Sequence, residues 1–278
     1  MTESSAGSRY WPFLLPVCAL MAFGLVMPFG FILTQSLSAG GGWSTSAYTE
    51  LVQSRLFTRV TWTTFEIALS ATLLATVIAY PIALHLSRLS HATRTMFMML
   101  VLLPFWTSIL VKSYAFIVVL GDQGLINGAL AAIGLPRLPL MFNRIGVLIG
   151  MTNFLIPFVV FPLLANLLAQ DGNLGRAAAV MGASDLTIFW KVTFPLSLPG
   201  LGAGAIMSFV LSLGFFVTPA LLGGRQDMMI ANLIDFYTRE TLDWSSASAI
   251  AVILLAISLV LLWALGRIGG RDRAGLLI

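Results

Sequence analysis

Six long apolar runs constrain this chain more than any other feature. They cover residues 11–33, 67–84, 96–120, 145–168, 198–222 and 246–266, and only Lys112 places a charge inside one of them. A helix needs about 20 apolar residues to cross the hydrocarbon core of a bilayer. Backbone polar groups in lipid must be bonded within their own segment, and the alternating pattern of β-barrel strands is absent, so the runs are helices. The sequence predicts an all-α polytopic membrane protein with six transmembrane helices.

The composition excludes the soluble classes of protein. The chain is 58% hydrophobic and 9% charged, whereas soluble domains carry about 25% charged residues. A soluble enzyme, a nucleic-acid-binding module and a disordered chain are therefore excluded. The six runs use most of the 278 residues, so we expect a single transmembrane domain over residues 1–278. The net charge is +4. We attribute it to basic residues that face anionic membrane lipid and not to a nucleic-acid-binding surface.

The distribution of basic residues favours cytoplasmic termini. An even number of spans puts both ends on the same side, and the basic segment 267–273 places them inside. The inner segments would then hold eight basic residues (Arg9, Arg88, Arg94, Arg176, Lys191, Arg267, Arg271, Arg273) and the outer segments six (Arg55, Arg59, Arg137, Arg144, Arg225, Arg239). The predicted outer loops are residues 34–61, 121–143 and 223–245, with a short helix at 125–133.

Several kinds of chemistry are missing from the sequence. Neither Lys112 nor Lys191 follows the glycine pattern of a phosphate-binding loop, so we expect no ATP site in this chain. His85 and His91 are six residues apart without a nearby carboxylate, and the lone Cys18 cannot make a cysteine-rich site, so no metal site is predicted. The chain is interpreted as a transport subunit, not an enzyme. A membrane-embedded enzyme and a secondary transporter driven by an ion gradient remain as alternatives.

The segment 171–198, between the fourth and fifth runs, is the most informative. Alanines favour a helix over 176–181, Gly182 can end it in the left-handed conformation, and Ser184 can cap the next helix. Asp185 suits the first turn of that helix. Leu186, Phe189 and Trp190 fall on one apolar face, and Pro195 and Pro199 are expected to stop the helix. Such a helix could lie on lipid or dock into a partner.

The same segment resembles the EAA loop of type I binding-protein-dependent ABC importer permeases. The resemblance is carried by Ala177-Ala178, Gly182-Ala183-Ser184, Phe189, Val192, Phe194-Pro195-Leu196 and Pro199-Gly200. Arg176 stands where the family has a glutamate, so a salt bridge from that position to an ATPase would be absent or reversed. Segments 79–83, 103–108, 124–127, 217–224 and 232–234 also resemble the polyamine-importer branch, in particular the first permease of spermidine/putrescine systems.

The resemblance implies a fold, a function and a set of partners. The chain would have the type I ABC importer permease fold and sit in the bacterial inner membrane. It would pair with a second, related permease, with two copies of a cytoplasmic ATPase that binds ATP and Mg, and with a periplasmic or extracellular solute-binding protein. The solute would be a polyamine, or alternatively an opine, ferric iron or an amino-acid-like compound. The implied ATPase-coupling residues are Ala177, Ala178, Gly182, Ala183, Ser184, Asp185, Leu186 and Phe189.

Residues that could touch the substrate are sought among charges and aromatic rings near the spans. Glu66 could receive an ammonium group, remain solvated at headgroup level, or pair with Lys112, which could otherwise snorkel outward. The last outer loop is acidic, through Asp227, Asp235, Glu240 and Asp243, and could attract cations or simply be solvated. Aromatic faces can hold alkylammonium groups, but they also pack helices. The candidate pathway residues are Glu66, Trp106, Lys112, Phe216, Asp235 and Tyr237.

Overall fold

The fold is known from a computed structural model that describes residues 11–39 and 42–274. These residues form thirteen α-helices and one small hairpin, in which β1 (Ser38–Ala39) pairs with β2 (Gly42–Trp43) in antiparallel orientation. The helices are α1 (Trp11–Ser36), α2 (Ser46–Gln53), α3 (Arg55–Arg88), α4 (His91–Trp106), α5 (Ile109–Leu120), α6 (Leu125–Ala132), α7 (Arg144–Ala169), α8 (Gly172–Val180), α9 (Asp185–Ile188), α10 (Phe194–Leu213), α11 (Val217–Leu222), α12 (Ile230–Arg239) and α13 (Trp244–Ala274). The stretch Phe189–Thr193 is π-helical.

Six segments of the described residues are long and apolar enough to cross a membrane, which confirms the predicted number. They are Pro16–Ser36, Arg55–Arg88, Ile109–Ala132, Arg144–Ala169, Asp185–Leu213 and Trp244–Trp263. The fourth segment agrees with the predicted run to within one residue at each end. The predicted short helix at 125–133 is also present, as α6.

The third and fifth predicted runs are not single helices. The third is broken at Thr107 and Ser108, just after Pro104, so that α4 and α5 are separate. The fifth is broken at residues 214–216 between α10 and α11. Pro104 removes a helical hydrogen bond near the first break, and Gly214 weakens the helix at the second. A search for apolar length ignores both effects, so it predicted neither break.

The outer loops contain more helix than the sequence predicted. Helix α3 begins at Arg55, about three turns before the predicted start of the second run. Helix α2 occupies part of the predicted loop 34–61, and α12 occupies part of the predicted loop 223–245. These stretches carry polar residues, so a search for apolar runs could not detect them.

The described residues fall into two compact units. One contains the described residues up to Arg55 together with Ile234–Leu255, and the other contains Leu56–Leu233 and the described residues from Ala256 onward. In the first unit, the Tyr48 hydroxyl donates a hydrogen bond to the Ser36 hydroxyl at 2.9 Å, which ties α2 to the end of α1. A single transmembrane domain over residues 1–278 stays a prediction.

The core of the second unit is built around small residues on α3. Ala71, Ala75, Ala79 and Ala83 recur at every fourth position and are fully buried. They share one apolar core with larger side chains of α7, which are Val147, Met151, Leu155, Val159, Val160 and Leu163. Small residues let transmembrane helices approach closely, and dispersion contacts replace the missing hydrophobic driving force.

Helices α7 and α10 pack with their backbones close together. The buried positions Gly200, Gly204, Ser208 and Ser212 recur every fourth residue along α10. A Cβ atom on Gly204 would lie 2.9 Å from the Cα atom of Val159. The small side chains of α10 are therefore a requirement of this helix pair.

Candidate coupling surface and substrate pathway

The inner segment forms a helix, a tight turn and a second helix, as predicted. Asp171 caps α8 by accepting a hydrogen bond from the backbone N–H of Asn173 at 2.9 Å. Gly182 has a φ of +84°, and the backbone N–H groups of Gly182 and Ala183 donate to the carbonyls of Ala179 and Ala178. This pair of bonds is the Schellman arrangement that satisfies the last carbonyls of a helix. The turn at Gly182 is confirmed.

The start of the second helix is also as predicted. The Ser184 hydroxyl accepts a hydrogen bond from the backbone N–H of Thr187 and contacts the Thr187 hydroxyl at 2.9 Å. Asp185 is the first residue of α9, where a negative charge suits the helix dipole. Asp171, Gly182 and Ser184 together fix the course of the segment from α8 to α9.

The prediction that Pro195 and Pro199 stop this helix is wrong. The chain is helical without a break from Asp185 to Leu213, through α9, the π-helical stretch and α10. Pro195 comes two residues after the π-helical stretch, where the backbone hydrogen bonds already depart from the α-helical pattern. The wider π-helical turn just before it supplies a different hydrogen-bonding pattern, with the Phe194 N–H donating to the Phe189 carbonyl. The inner segment is therefore continuous with the fifth span.

The predicted apolar face of the second helix is divided. Leu186 and Trp190 are 68% and 56% exposed, while Phe189 is half-buried. At the turn between the helices, Val180 and Met181 are also exposed, at 89% and 83%. We call Val180, Met181, Leu186 and Trp190 the exposed apolar surface of the inner segment. Four large apolar side chains exposed within one short segment are typical of a surface that contacts either lipid or a protein partner.

Phe189 instead belongs to an aromatic cluster that reaches α3. The Phe189 ring lies edge-on to Tyr80, with 5.9 Å between ring centroids, and the Phe194 ring lies 5.7 Å from Tyr80. The Tyr80 and Ser197 hydroxyls are hydrogen-bonded at 2.9 Å. The sequence singled out Tyr80 only as part of the resemblance at 79–83. The structure makes it the link between the inner segment and α3.

The other members of the predicted coupling set lie along the same segment. Ala177 is exposed and Ala178 half-buried on α8, and Ala183 is half-buried between the two helices. Arg176, at the position where the resemblance implies a glutamate, is exposed on α8. The coupling role of these residues stays a prediction.

Glu66 takes part in an ionic cluster with partners that sequence reasoning missed. Arg144, at the start of α7, contacts the Glu66 carboxylate at 2.5 Å and the Asp227 carboxylate at 3.1 Å. Asp227 is buried and also accepts a hydrogen bond from the Gly224 N–H at 3.1 Å. The alternative of a Glu66–Lys112 pair is therefore wrong. Arg144 was counted only as a loop charge, and no spacing rule pairs residues 78 and 83 positions apart.

Substitution of Arg144 tests the importance of this cluster for stability. In Arg144→Gln, the buried Asp227 carboxylate loses its cationic partner, and breaking a buried pair from one side is costly. Arg144 is 35% exposed, so water can replace part of the interaction, and we expect a loss of about 2 kcal/mol of unfolding free energy. The thermal unfolding midpoint of the purified protein measures it. Arg239→Gln breaks an exposed helical pair with Asp235 and should leave the midpoint nearly unchanged.

Lys112 lies beside an aromatic cluster that includes one further candidate. Its ammonium group is 5.2 Å from the centroid of the Phe154 ring, within the range of a cation–π interaction. Phe154 contacts Phe105 and Phe215, and Phe105 contacts Trp106. Among the described residues no carboxylate forms a salt bridge with Lys112. The structure thus connects Lys112 and Trp106 through a chain of rings, which the sequence did not predict.

The remaining pathway candidates are placed separately. Phe216 is 38% exposed in the break between α10 and α11, and its carbonyl accepts a hydrogen bond from the Asn232 side chain at 3.0 Å. Asp235 pairs with Arg239 one turn along α12 at 2.7 Å, and Tyr237 packs edge-on against Phe236. Within the described part of the chain, neither Asp235 nor Tyr237 forms an ion pair or ring contact with another candidate. Within the described ranges, no three His, Cys, Asp or Glu residues could hold a metal ion together.

Comparison with known proteins places this architecture among transport proteins. The profile of the family described as binding-protein-dependent transport system inner membrane component matches residues 71–271. The spermidine/putrescine transport system permease protein PotB of Escherichia coli (strain K12) is 32% identical over 226 residues, which are 80% of this chain and 82% of that protein.

Solved structures show the same fold. A crystal structure of a bacterial ABC transporter involved in the import of the acidic polysaccharide alginate matches with a TM-score of 0.78 and 20% identity, over 95% of this chain and 96% of that chain. A second crystal structure, of a bacterial alginate ABC transporter in complex with an alginate pentasaccharide-bound periplasmic protein, matches with a TM-score of 0.75 and 19% identity over the same shares. The fold predicted from the sequence is confirmed.

Proposed function

Because this chain belongs to the family of binding-protein-dependent transport system inner membrane components, we propose that it carries a polyamine such as spermidine or putrescine through the membrane, as one permease subunit of an ATP-driven importer. The observation that supports the substrate is the 32% identity to a spermidine/putrescine permease over four fifths of the chain.

The proposed assembly contains three kinds of partner. A second, related permease completes the pore, because the described residues supply one set of six candidate spans and transporters of this kind are commonly built from two related halves. Two copies of a cytoplasmic ATPase dock on the inner segments of the two permeases and supply the ATP and Mg chemistry. A solute-binding protein delivers the substrate from outside, and a structural neighbour that holds a periplasmic protein supports that partner.

The inner segment is the proposed docking site for the ATPase. Its exposed apolar surface, Val180, Met181, Leu186 and Trp190, offers side chains that a protein partner would cover. If the ATPase docks here, this end of the helices lies in the cytoplasm. Together with the basic segment 267–273, this orientation would put both termini on the cytoplasmic side of the bacterial inner membrane.

Movement of the ATPase would reach the pore through two rigid connections. The first is covalent, since α9 continues through the π-helical stretch into α10 without a loop. The second is the contact of Tyr80 with Phe189, Phe194 and Ser197, which carries the same displacement to α3. Closure of the ATPase dimer would favour the permease state in which its docked surfaces are closer together, because only a difference in contacts between two states can shift their populations.

Glu66 is the proposed receptor for an ammonium group of the substrate. Its side chain is 49% exposed, and the cluster with Arg144 and Asp227 keeps one excess negative charge. Trp62, one turn earlier on α3, is 73% exposed and can present its ring to the same cation. Lys112 would repel a polycation at close range, so the ammonium groups would pass on the Glu66 side of the pathway.

The substrate is tested by measuring uptake of labelled spermidine and putrescine in native cells with and without this chain. We expect ATP-dependent uptake to be lost on deletion and restored by the gene, and Glu66→Gln to raise the substrate concentration for half-maximal uptake. Unchanged uptake, in cells without a second polyamine system, would reject polyamines. The search would then turn to the other small solutes that related permeases carry.

Loss of the Tyr80 hydroxyl tests the connection to α3. Tyr80→Phe keeps both ring contacts but removes the hydrogen bond to Ser197, which is worth about 1 kcal/mol. We expect uptake to fall about fivefold while ATP hydrolysis by the assembled transporter continues, because the two events become less tightly coupled. The ratio of solute transported to ATP hydrolysed in proteoliposomes measures the effect. A normal ratio would contradict the proposed role of Tyr80.

A further inference from the structure

An open apolar groove lies between α3 and α4, and its lining includes no residue of the exposed apolar surface and none of the pathway candidates. Its volume is about 350 Å³, which falls within the range of small-molecule sites. The groove is lined by Pro81, Ile82, His85, Leu86, Phe97 and Val101. Five of these six residues present only apolar side chains, and His85 supplies the one polar group.

One end of the groove is basic. Arg88 lies one turn after His85 on α3, and both side chains are exposed. Arg94, near the start of α4, donates hydrogen bonds to the carbonyls of Leu86 and Leu89 at 3.1 and 2.8 Å. These bonds close the end of α3 and hold a positive charge beside Leu86, which itself lines the groove. The position of the Arg94 charge is therefore fixed by the fold.

The charge at this end is not balanced locally along the chain. No Asp or Glu occurs between Glu66 and Asp122, a stretch that contains the α3–α4 hairpin. The inner segment contains two acidic residues, and both serve as helix-terminal residues there: Asp171 caps α8 and Asp185 begins α9. An apolar groove with positive charge at one end is complementary to an acyl chain with an anionic head.

We propose that this groove binds an anionic phospholipid of the cytoplasmic leaflet. An acyl chain would lie against Ile82, Phe97 and Val101, and the phosphate would be bound by Arg88 and Arg94, with His85 within reach of the headgroup. Basic pockets between helices on the cytoplasmic side are suited to such headgroups. The link from Tyr80 to Phe189 and Ser197 puts this end of α3 beside the inner segment, so the leaflet follows from the proposed orientation.

A bound lipid at this position would stabilise the α3–α4 hairpin. Helix α4 has no buried residue along its length among the described positions, so α3 and α4 leave much of their facing surface open. A helix of the partner permease would be the competing occupant. It would need acidic residues to satisfy Arg88 and Arg94, and it would exclude lipid from the groove altogether.

Photolabelling of the complete transporter in nanodiscs tests the proposal. The probe is phosphatidylglycerol with a diazirine on one acyl chain, diluted into phosphatidylcholine, and mass spectrometry locates the labelled peptides. We expect labels on residues 81–101, several-fold more than with diazirine-bearing phosphatidylcholine. Each basic residue strengthens binding of an anionic lipid roughly fivefold, so Arg88→Gln should reduce groove labelling by about that factor. Arg176→Gln removes an exposed basic side chain of α8 that is not part of the groove lining, so it is the matched control and should leave the labelling unchanged.

Each other outcome would overturn the proposal. Equal labelling by the two lipids, or labelling that is insensitive to Arg88→Gln, would remove the role of the headgroup. No labelling of residues 81–101, with cross-links from Val101→Cys to the second permease, would assign the groove to the partner. Labelling needs neither substrate nor ATP, so these results do not depend on whether the chain carries polyamines.

Discussion

Gly182→Val should abolish most uptake while the protein still inserts into the membrane and folds. The backbone at Gly182 has a φ of +84°, a conformation that is strained for a β-branched residue. The strain at such a position costs of order 1–3 kcal/mol, which is enough to lower the population of the native turn by about fivefold or more. The helices on either side would then present the exposed apolar surface in the wrong geometry. Uptake and co-purification of the ATPase measure the loss.

Gly172→Val is the matched control for this substitution. A Cβ atom on Gly172 meets nothing within 4 Å, as is also true of Gly182, and Gly172 does not have a positive φ. The two variants therefore add the same side chain to open space and differ in backbone strain. Normal uptake and normal ATPase recovery in Gly182→Val would refute the docking role of this turn. Equal losses in both variants would show that added bulk, and not the turn, is responsible.

Gly204→Leu should cause the largest loss of stability. A Cβ atom at this position would lie 2.9 Å from the Val159 Cα atom and 3.1 Å from the Val159 carbonyl oxygen. These are backbone atoms of α7 and cannot rotate away, so α7 and α10 must separate. We expect a loss of about 3 kcal/mol in the free energy of unfolding, at the upper end of overpacking effects. A lower thermal midpoint and a poor yield of monodisperse protein in detergent would reveal it.

Gly202→Leu provides the comparison on the same helix. A Cβ atom on Gly202 meets no heavy atom within 4 Å, so the leucine would point into free space two residues away from Gly204. Its thermal midpoint should match the parent protein or exceed it, because leucine favours the helix more than glycine does. If both variants unfolded at the same temperature, the close packing of α7 against α10 would not be a source of stability.

Local features of the fold followed from the sequence because their causes are local. Apolar length predicted six spans, and the left-handed tendency of Gly182 and the capping ability of Ser184 predicted the inner turn. The prediction that Pro195 ends the helix failed, because a π-helical turn precedes the proline and the helix continues through it. Single-residue preferences do not predict such a turn. Glycine and serine at every fourth position of α10 were an available signal for close helix packing.

Contacts between distant parts of the chain could not be predicted in this way. Arg144 joins Glu66 and Asp227 although each is about 80 positions away, and Tyr80 joins Ser197 at a separation of 117 residues. A single sequence gives no register between one span and another. Lys112 illustrates the same limit, because its neighbour Phe154 belongs to a different helix, and Glu66, one of the partners considered for it, pairs with Arg144 instead.

An ATPase that docks on the inner segment should be trapped there by cross-linking. Cys18 is the only cysteine, so Cys18→Ser gives a background into which Leu186→Cys or Asp122→Cys can be placed. Both positions are exposed, the first in the inner segment and the second in a predicted outer loop. In an uptake-competent transporter, we predict that a bifunctional reagent links Leu186→Cys to the ATPase and leaves Asp122→Cys unlinked. No link from Leu186→Cys, or equal links from both positions, would show that the ATPase does not dock specifically at the inner segment.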